Sequence, residues 1–501
     1  MQPAESRGQR RRVRRARPST YVYFGLLFAT IVFLSHATLI TMPYFWDECG
    51  YFIPATLDLF QRGAAIPLSV QPAVHPPLVM SWIAGWWSVM GAHEAVTRSA
   101  MLLLASFTLL AVFLLAIELC GSLPGVPALL AAGLLAISPL FYTQSLLAQL
   151  DLPATLFTAL TLWLFLRERH GWACLSCTLL VLTKETGAAL PFVLLAYLLV
   201  EKRYRQAAWY GLPLMALGGW LLVLKGVSGH WLGSVSFGKA YLATLRHPVP
   251  LALALGRRLY FVFGSNLHFL GLAGIVLAWR AGLLSRRRWK VVALFGVAHL
   301  AVITVLGGAV LERDALPVLP LFYTAAVVGF HTLRQRNLVL MTAGLAAGLL
   351  AGLGINPPLW PFPYENNLSM NAFTEVHQMA AAYLDQNASR KAIATAWPLS
   401  AELTRPGLGY VSRRLLVFGL KDFSEEELTR AAEVPIDVFV RFSQDWDPPR
   451  NLLGYRAARY LARVYLQYQL PVSPDEIERR LKLKLVAAWS RRGQWVEIYT
   501  R

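Results

Sequence analysis

Three stretches of the chain, 21–40, 99–119 and 338–353, each run for 16 to 21 residues with at most one charged side chain. The hydrocarbon core of a bilayer, about 30 Å thick, takes about 20 residues of helix to cross. Inside it the backbone must bond to itself, which leaves only helices and closed barrels. No strand-like alternation accompanies these runs, so the sequence selects helices. Over the whole chain only 15% of residues are charged, against roughly a quarter in soluble domains. The deficit falls before about residue 356.

The formal net charge of +19 invites a nucleic-acid reading, but the basic residues are in the wrong places for one. Seven arginines crowd into 7–17, ahead of the first apolar run. Others sit in short patches between runs: Arg167 with Arg169, 202–205, 286–290, and Arg334 with Arg336. Nucleic acid calls for one continuous basic face, whereas short basic loops between spans follow the positive-inside rule. The basic arm 1–19 is therefore expected in the cytoplasm. The first run, about 20–42, is too long for a cleaved secretory segment and is expected to remain as a span. The short stretch 76–90, with Trp82, Trp86 and Trp87, is expected to lie at the interface. Further spans are expected near 98–119, 124–141, 152–167, 207–225, 256–279, 290–310, 315–333 and 338–355. Two half-length segments, 172–183 and 186–200, hinge at 183–187 and complete about eleven crossings. An odd count puts the C-terminal part outside. The loops carrying Asp47, Glu48, Asp58, Glu94, Asp151, Lys184, Glu185 and 312–314 then all face that outer side. Carboxylates at membrane depth are expensive and usually functional.

After Asn356 the proline-rich stretch 357–363 reads as a stiff linker. Helix-like segments (373–386, one opening at Ser424, and 456–468) then alternate with strand-like runs (391–395, 415–418 and 436–441). A terminal hairpin, 482–489 with 494–499, completes a small α/β pattern. Two glycosylation-type triplets start at Asn367 and Asn387. The expected architecture is a membrane all-α domain over 20–355, with interfacial helices, and a small α/β soluble domain over 356–501 that caps or docks on it.

Five short motifs carry side chains suited to chemistry. Trp46-Asp47-Glu48 follows the first span; its plain reading is an acidic start to an interfacial helix, favoured by the helix dipole. Asp151 precedes a proline-started span and would serve equally as a cap. His75-Pro76-Pro77-Leu78 enters the interfacial stretch. Thr183-Lys184-Glu185 places a lysine between two apolar halves, where packing gives it no role beyond pairing with Glu185 or Asp151. Glu312-Arg313-Asp314 opens an outer helix that continues to Pro317 and Pro320. Each is weak alone; their common side makes the set specific.

With these motifs the membrane part, about 20–355, resembles the GT-C superfamily of integral-membrane glycosyltransferases. The resemblance is to the protein O-mannosyltransferase branch, which includes the bacterial lipid A aminoarabinose transferases. It implies an inverting transfer of a sugar from a polyprenyl-phosphate donor to a hydroxyl of a lipid, glycan or protein acceptor outside the cytoplasm. It also implies residence in the inner membrane of a bacterial cell envelope, among membrane lipids, and no nucleic-acid partner. Asp47 matches the family's catalytic acid in the first outer loop. Arg313 stands where many members place a cation near the lipid phosphate, with Asp314 in place of a usual tyrosine. His75 stands where many bacterial members have lysine. The C-terminal part does not resemble the lectin-like insertion of the eukaryotic O-mannosyltransferases.

Displacing a phosphate from an anomeric carbon needs a carboxylate to take the acceptor's proton and fixed positive charge to stabilise the departing phosphate. The residues expected to meet these needs are Asp47 as general base, with Asp151 and Glu48 orienting sugar or acceptor. Lys184, Arg313 and His75 would then bind the donor phosphate. No cofactor is called for; a divalent metal has room among the outer carboxylates, but no ligand spacing asks for one. The chief rival is a transporter or flippase of lipid-linked glycans, for which the broken segment around Lys184 speaks and the lack of an internal repeat speaks against.

Overall fold

In the computed structural model, which describes residues 18–121, 128–306, 310–355, 364–443, 455–465 and 471–501, the apolar runs are helices. The basic arm before residue 18, the 356–363 linker and the end of the expected helix 456–468 lie outside the described residues. The first helices are α1 (Pro18–Ser35), α2 (Ile53–Arg62), α3 (Leu78–Met90), α4 (Glu94–Cys120), α5 (Ala128–Ala136) and α6 (Pro139–Gln144). They are followed by α7 (Asp151–Leu166), α8 (His170–Thr183), α9 (Ala189–Val200), α10 (Tyr204–Trp209), α11 (Gly211–Ser228) and α12 (Val235–Tyr241). The last of this part are α13 (Pro248–Phe263), α14 (His268–Arg280), α15 (Arg287–Val305), α16 (Leu319–Phe330) and α17 (Gln335–Gly352).

Three stretches are long and apolar enough to cross a bilayer on length and composition: Glu94–Cys120, Tyr204–Ser228 and Arg287–Val305. The pair α13 and α14 makes a fourth if its 46° bend lies within one span. The sequence suggested a continuous span over 256–279; instead Asn266 and Leu267 turn into left-handed backbone, with φ of 50° and 60°, and break it. Helices such as α7, at 16 residues, reach only about 24 Å at 1.5 Å per residue. Length alone therefore does not give the expected count. Outward faces are apolar: on α11, Leu212, Met215, Leu222 and Val223 are exposed. A soluble protein would bury such a stripe; a bilayer covers it.

The bundle interior is packed by small residues as well as large ones. Where α14 meets α16, a Cβ on Gly329 would lie 1.7 Å from the Gly274 carbonyl oxygen, so both positions must be glycine for the backbones to touch. Close approach through small residues is how helices associate when lipid offers no hydrophobic drive.

The basic loops meet at one end. Arg203 pairs with Glu168, Arg287 with Glu201 at 3.0 Å, and Arg288 with Glu118 at 3.0 Å. Because α7 runs from Asp151 to Leu166, Asp151 lies at the opposite end from Glu168. The two classes of loop read from the sequence thus occupy opposite ends of the bundle.

The C-terminal part has α18 (Ser369–Asn387), α19 (Leu399–Thr404), α20 (Glu425–Ala432), α21 (Tyr455–Tyr465) and α22 (Pro474–Leu481) around one sheet. Its strands are β1 (Ile393–Ala396), β2 (Val417–Leu420), β3 (Val438–Phe442), β4 (Lys484–Arg491) and β5 (Gln494–Thr500), in the order β2-β1-β3-β5-β4. Pairs β1–β2 and β1–β3 are parallel, while β5 runs antiparallel to both neighbours. Ser424 caps α20 by accepting from the Glu427 amide. Glu427 accepts from the Lys421 amide at 2.8 Å, three residues ahead of the Ser424 amide that the reciprocal bond of a capping box would use.

Candidate active site

Trp46 sits in left-handed backbone at φ 50°, a conformation that costs a non-glycine residue about 1–2 kcal/mol. Aromatic packing holds it there. Its ring meets Trp397 at 4.7 Å, Phe373 at 5.5 Å and Tyr364 at 6.2 Å, all from the C-terminal part. Past this turn the two adjacent acids have separate partners, Asp47 in one cluster and Glu48 in another.

Glu48 is wholly buried and bonded twice to the equally buried Arg98, at 2.5 and 2.9 Å. It also accepts from the amides of Phe45, at 2.8 Å, and Ala148, at 2.6 Å. Arg98 in turn donates to the carbonyls of Pro43 (2.8 Å) and Leu146 (2.9 Å). This pair fastens the loop carrying Asp47 to the loop leading into Asp151. Glu48 therefore does not join the other candidates, because its carboxylate is consumed in holding the loops together.

Asp47 meets Arg313, whose guanidinium is surrounded by acids. Its Nη2 bonds Asp47, its Nε lies 3.4 Å from Asp151 Oδ2, and its Nη1 lies 2.6 Å from Glu365 Oε2. Asp151 also accepts from Lys184 Nζ at 2.5 Å, and the same ammonium bonds Asp314 at 2.7 Å. Arg258 Nη2 closes the chain on Asp314 Oδ2 at 3.0 Å. Lys184 reaches this place because α8 ends there: the lysine is extended, and a tight turn, Glu185–Ala188, starts α9. Gly187 lets the turn lie against α8, since a Cβ there would be 2.7 Å from Leu180 Cγ.

The structure thus brings Asp47, Asp151, Lys184 and Arg313 together from four stretches of chain. Burial separates their roles. The Asp47 side chain is 31% exposed, whereas Asp151 and Glu365 are at 4% and Arg313 at 9%. His75 stands apart, with Nδ1 3.0 Å from Glu185 Oε2 while Tyr241 donates to the other oxygen at 2.7 Å. It therefore bonds the residue beside Lys184 and not the cluster of Asp47, Asp151, Lys184 and Arg313. Of the other loop acids named from sequence, Asp58 accepts from the amides of Leu68 and Ser69 and stabilises a loop.

Two partners, Arg258 and Glu365, were not singled out from sequence, and Asp314 was named there without a role. Arg258 and Asp314 extend the ion chain, and Glu365, just past the linker, closes it. Burial pushes the Glu365 carboxyl up to about 7, with Asp47 and Asp151 adding to the shift and Arg313 opposing it. Among the described residues no three His, Cys, Asp or Glu side chains are grouped to hold a metal ion; in the cluster, cationic side chains stand between the carboxylates.

A model of the family "Dolichyl-phosphate-mannose-protein mannosyltransferase" matches residues 74–232. No curated protein matches the chain in sequence. Among solved structures, ArnT from Cupriavidus metallidurans bound to undecaprenyl phosphate superposes with a TM-score of 0.55 at 14% identity, over 96% of this chain and 98% of that one. The apo form of the same protein gives 0.55 at 17% identity with the same coverage. By family match over 74–232 and by fold over nearly its whole length, the chain resembles the GT-C superfamily of integral-membrane glycosyltransferases, enzymes of polyprenyl-phosphate-linked sugars.

Proposed function

We propose that this membrane enzyme transfers a sugar from a polyprenyl-phosphate carrier to a hydroxyl acceptor, lipid, glycan or protein, with inversion at the anomeric carbon. The observation that carries this reading is the meeting of Asp47, Asp151, Lys184 and Arg313 at the bundle end opposite the basic loops. By the positive-inside rule that end is extracytoplasmic, as is the C-terminal part, after about eleven crossings of a bacterial inner membrane. Asp47, the most accessible of these acids, takes the acceptor's proton. Arg313 and Lys184 hold the phosphate as it leaves and offset its growing charge. Asp151 orients both cations.

Inversion needs acceptor and leaving group on opposite faces of the sugar. Base and phosphate ligand must therefore stand apart by about the 6.5–9.5 Å that inverting hydrolases show between their two carboxyls. Asp47 and Arg313 are now in contact. The sugar must therefore enter between them, parting Asp47 from the guanidinium.

The test is transfer by the purified protein, given a panel of polyprenyl-phosphate sugars and hydroxyl acceptors. Asp47→Asn should lose transfer with normal expression while still binding the lipid. Full activity of that variant removes Asp47 from the reaction, and solute flux in liposomes without any transfer replaces the enzyme by a transporter.

A further inference from the structure

Within the core of the cluster, four carboxylates (Asp47, Asp151, Asp314, Glu365) face three cations (Lys184, Arg258, Arg313). Every cation is already matched, and one negative charge is left over. An arriving lipid phosphate meets no vacant cation and a surplus of like charge. One carboxylate must give up its hold, and its charge, for the phosphate to bind.

Glu365 is the one built to do so. The groups facing it are Arg313 and, beyond, Asp47 and Asp151, with Gln149 from the loop before α7. Gln149 donates its amide nitrogen to Glu365 Oε2 at 2.9 Å, while its own oxygen is buried without a partner. Turned over, that amide presents an acceptor at the same distance to a protonated carboxyl. Gln149 therefore suits both charge states of Glu365. Asp151 and Asp314 lack this freedom, because each is shared between two cations, and Asp47 must keep its charge to take the acceptor's proton. Thr143 Oγ1 donates to the Glu365 carbonyl at 2.5 Å and fixes the backbone, so the side chain can let go without moving the chain.

We propose that Glu365 is a positioning residue of this site, holding Arg313 in the resting state and releasing it to the lipid phosphate by taking a proton from solvent. This rests on the reading of Arg313 as a phosphate ligand. The segment entering the C-terminal part thereby completes a site otherwise built from the membrane bundle.

The test is binding of undecaprenyl phosphate to the purified full-length protein in detergent, by calorimetry at pH 6 and pH 8. With the Glu365 carboxyl at about 7, the competent fraction at pH 8 is about one in eleven, and apparent affinity falls by that fraction. Glu365→Gln, which cannot ionise, should bind about tenfold more tightly than wild type at pH 8 and equally at pH 6. Ionisation of the phosphate affects both proteins alike, so the ratio isolates Glu365. A merely structural glutamate would not tighten binding when replaced. Should the variant fold poorly, wild type alone suffices: in buffers of different ionisation enthalpy at pH 8 it should take up close to one proton per phosphate bound. Equal affinities at pH 8, or binding without proton uptake, overturns the inference while leaving Arg313 as phosphate ligand. Absence of binding at both pH values by both proteins removes the phosphate reading itself, and this inference with it.

Discussion

Replacing Glu48 should damage the molecule in a different way from replacing Asp47, although the two are adjacent in sequence. Glu48 and Arg98 are both fully buried, and each satisfies backbone groups of two loops. Removing one partner of a buried pair strands the other charge and costs about 3–5 kcal/mol. Glu48→Gln keeps the shape and acceptor oxygen, which places it near the lower end, about 3 kcal/mol. Arg98→Met strands a carboxylate that retains two amide donors and leaves the carbonyls of Met42, Pro43 and Leu146 bare, which places it nearer 5 kcal/mol. Together they should cost less than their sum, with a coupling of up to about 3 kcal/mol. Asp47 is 31% exposed and shares Arg313 with two other acids. Asp47→Asn should therefore change stability by about 1 kcal/mol or less. Unfolding of each variant by SDS in mixed micelles, read by tryptophan fluorescence, gives the four-member cycle, and transfer assays run beside it. If Glu48→Gln is as stable as wild type yet inactive, Glu48 belongs to the reaction and the loop-fastening account is wrong. If the single costs simply add, the pair is not coupled and its geometry is misread.

Two substitutions test the close approaches that shape the bundle. Gly329→Ala places a methyl against the Gly274 carbonyl. Overpacking of this kind typically costs about 1–3 kcal/mol, so folded yield in detergent should fall, while Gly85→Ala, with nothing near its added methyl, should leave it unchanged. Gly187→Ala crowds Leu180 at the turn that presents Lys184. It should lower affinity for undecaprenyl phosphate more than it lowers the unfolding midpoint, and a variant with wild-type affinity would free Lys184 from dependence on that turn.

Where the chain pattern is local, the sequence shows it well. Unbroken apolar runs mark α4 and α15, and short strand-like runs mark β3 to β5, within about five residues. The break at Asn266 escapes such reading, because it depends on left-handed backbone at two non-glycine positions and no sequence signal distinguishes them from a continuous helix. The site divides in the same way. Asp47, Asp151, Lys184 and Arg313 stand out because each is an ionised group in apolar or turn-forming surroundings, which water-excluding packing tolerates only with a partner. Glu48 carries the same signal for a different reason: its neighbour's backbone turn, braced by residues some 350 positions away, decides that it faces Arg98. Arg258 is one of several basic residues between apolar stretches and cannot be told from a loop charge. Glu365 follows a proline-rich segment in polar sequence, so composition assigns it to a soluble surface.

That last misassignment has a physical lesson about how the two parts cooperate. The C-terminal part touches the site at two points of different chemistry. Trp397 and Phe373 brace Trp46, and so the loop that presents Asp47. Tyr410 and Arg405 bond the carbonyls of Tyr44 and Cys49 on either side of the same loop, at 2.9 and 3.1 Å. Glu365 meanwhile reaches Arg313 directly. A rigid brace and a charge-bearing side chain thus enter from the same polypeptide, one setting where Asp47 stands and the other holding Arg313. Loosening the brace should misplace Asp47 but leave the burial that is the main cause of the raised Glu365 carboxyl, so Trp397→Ala should lower the transfer rate while keeping a pH dependence of undecaprenyl phosphate binding. Loss of both together would mean that the brace and the glutamate move as one unit.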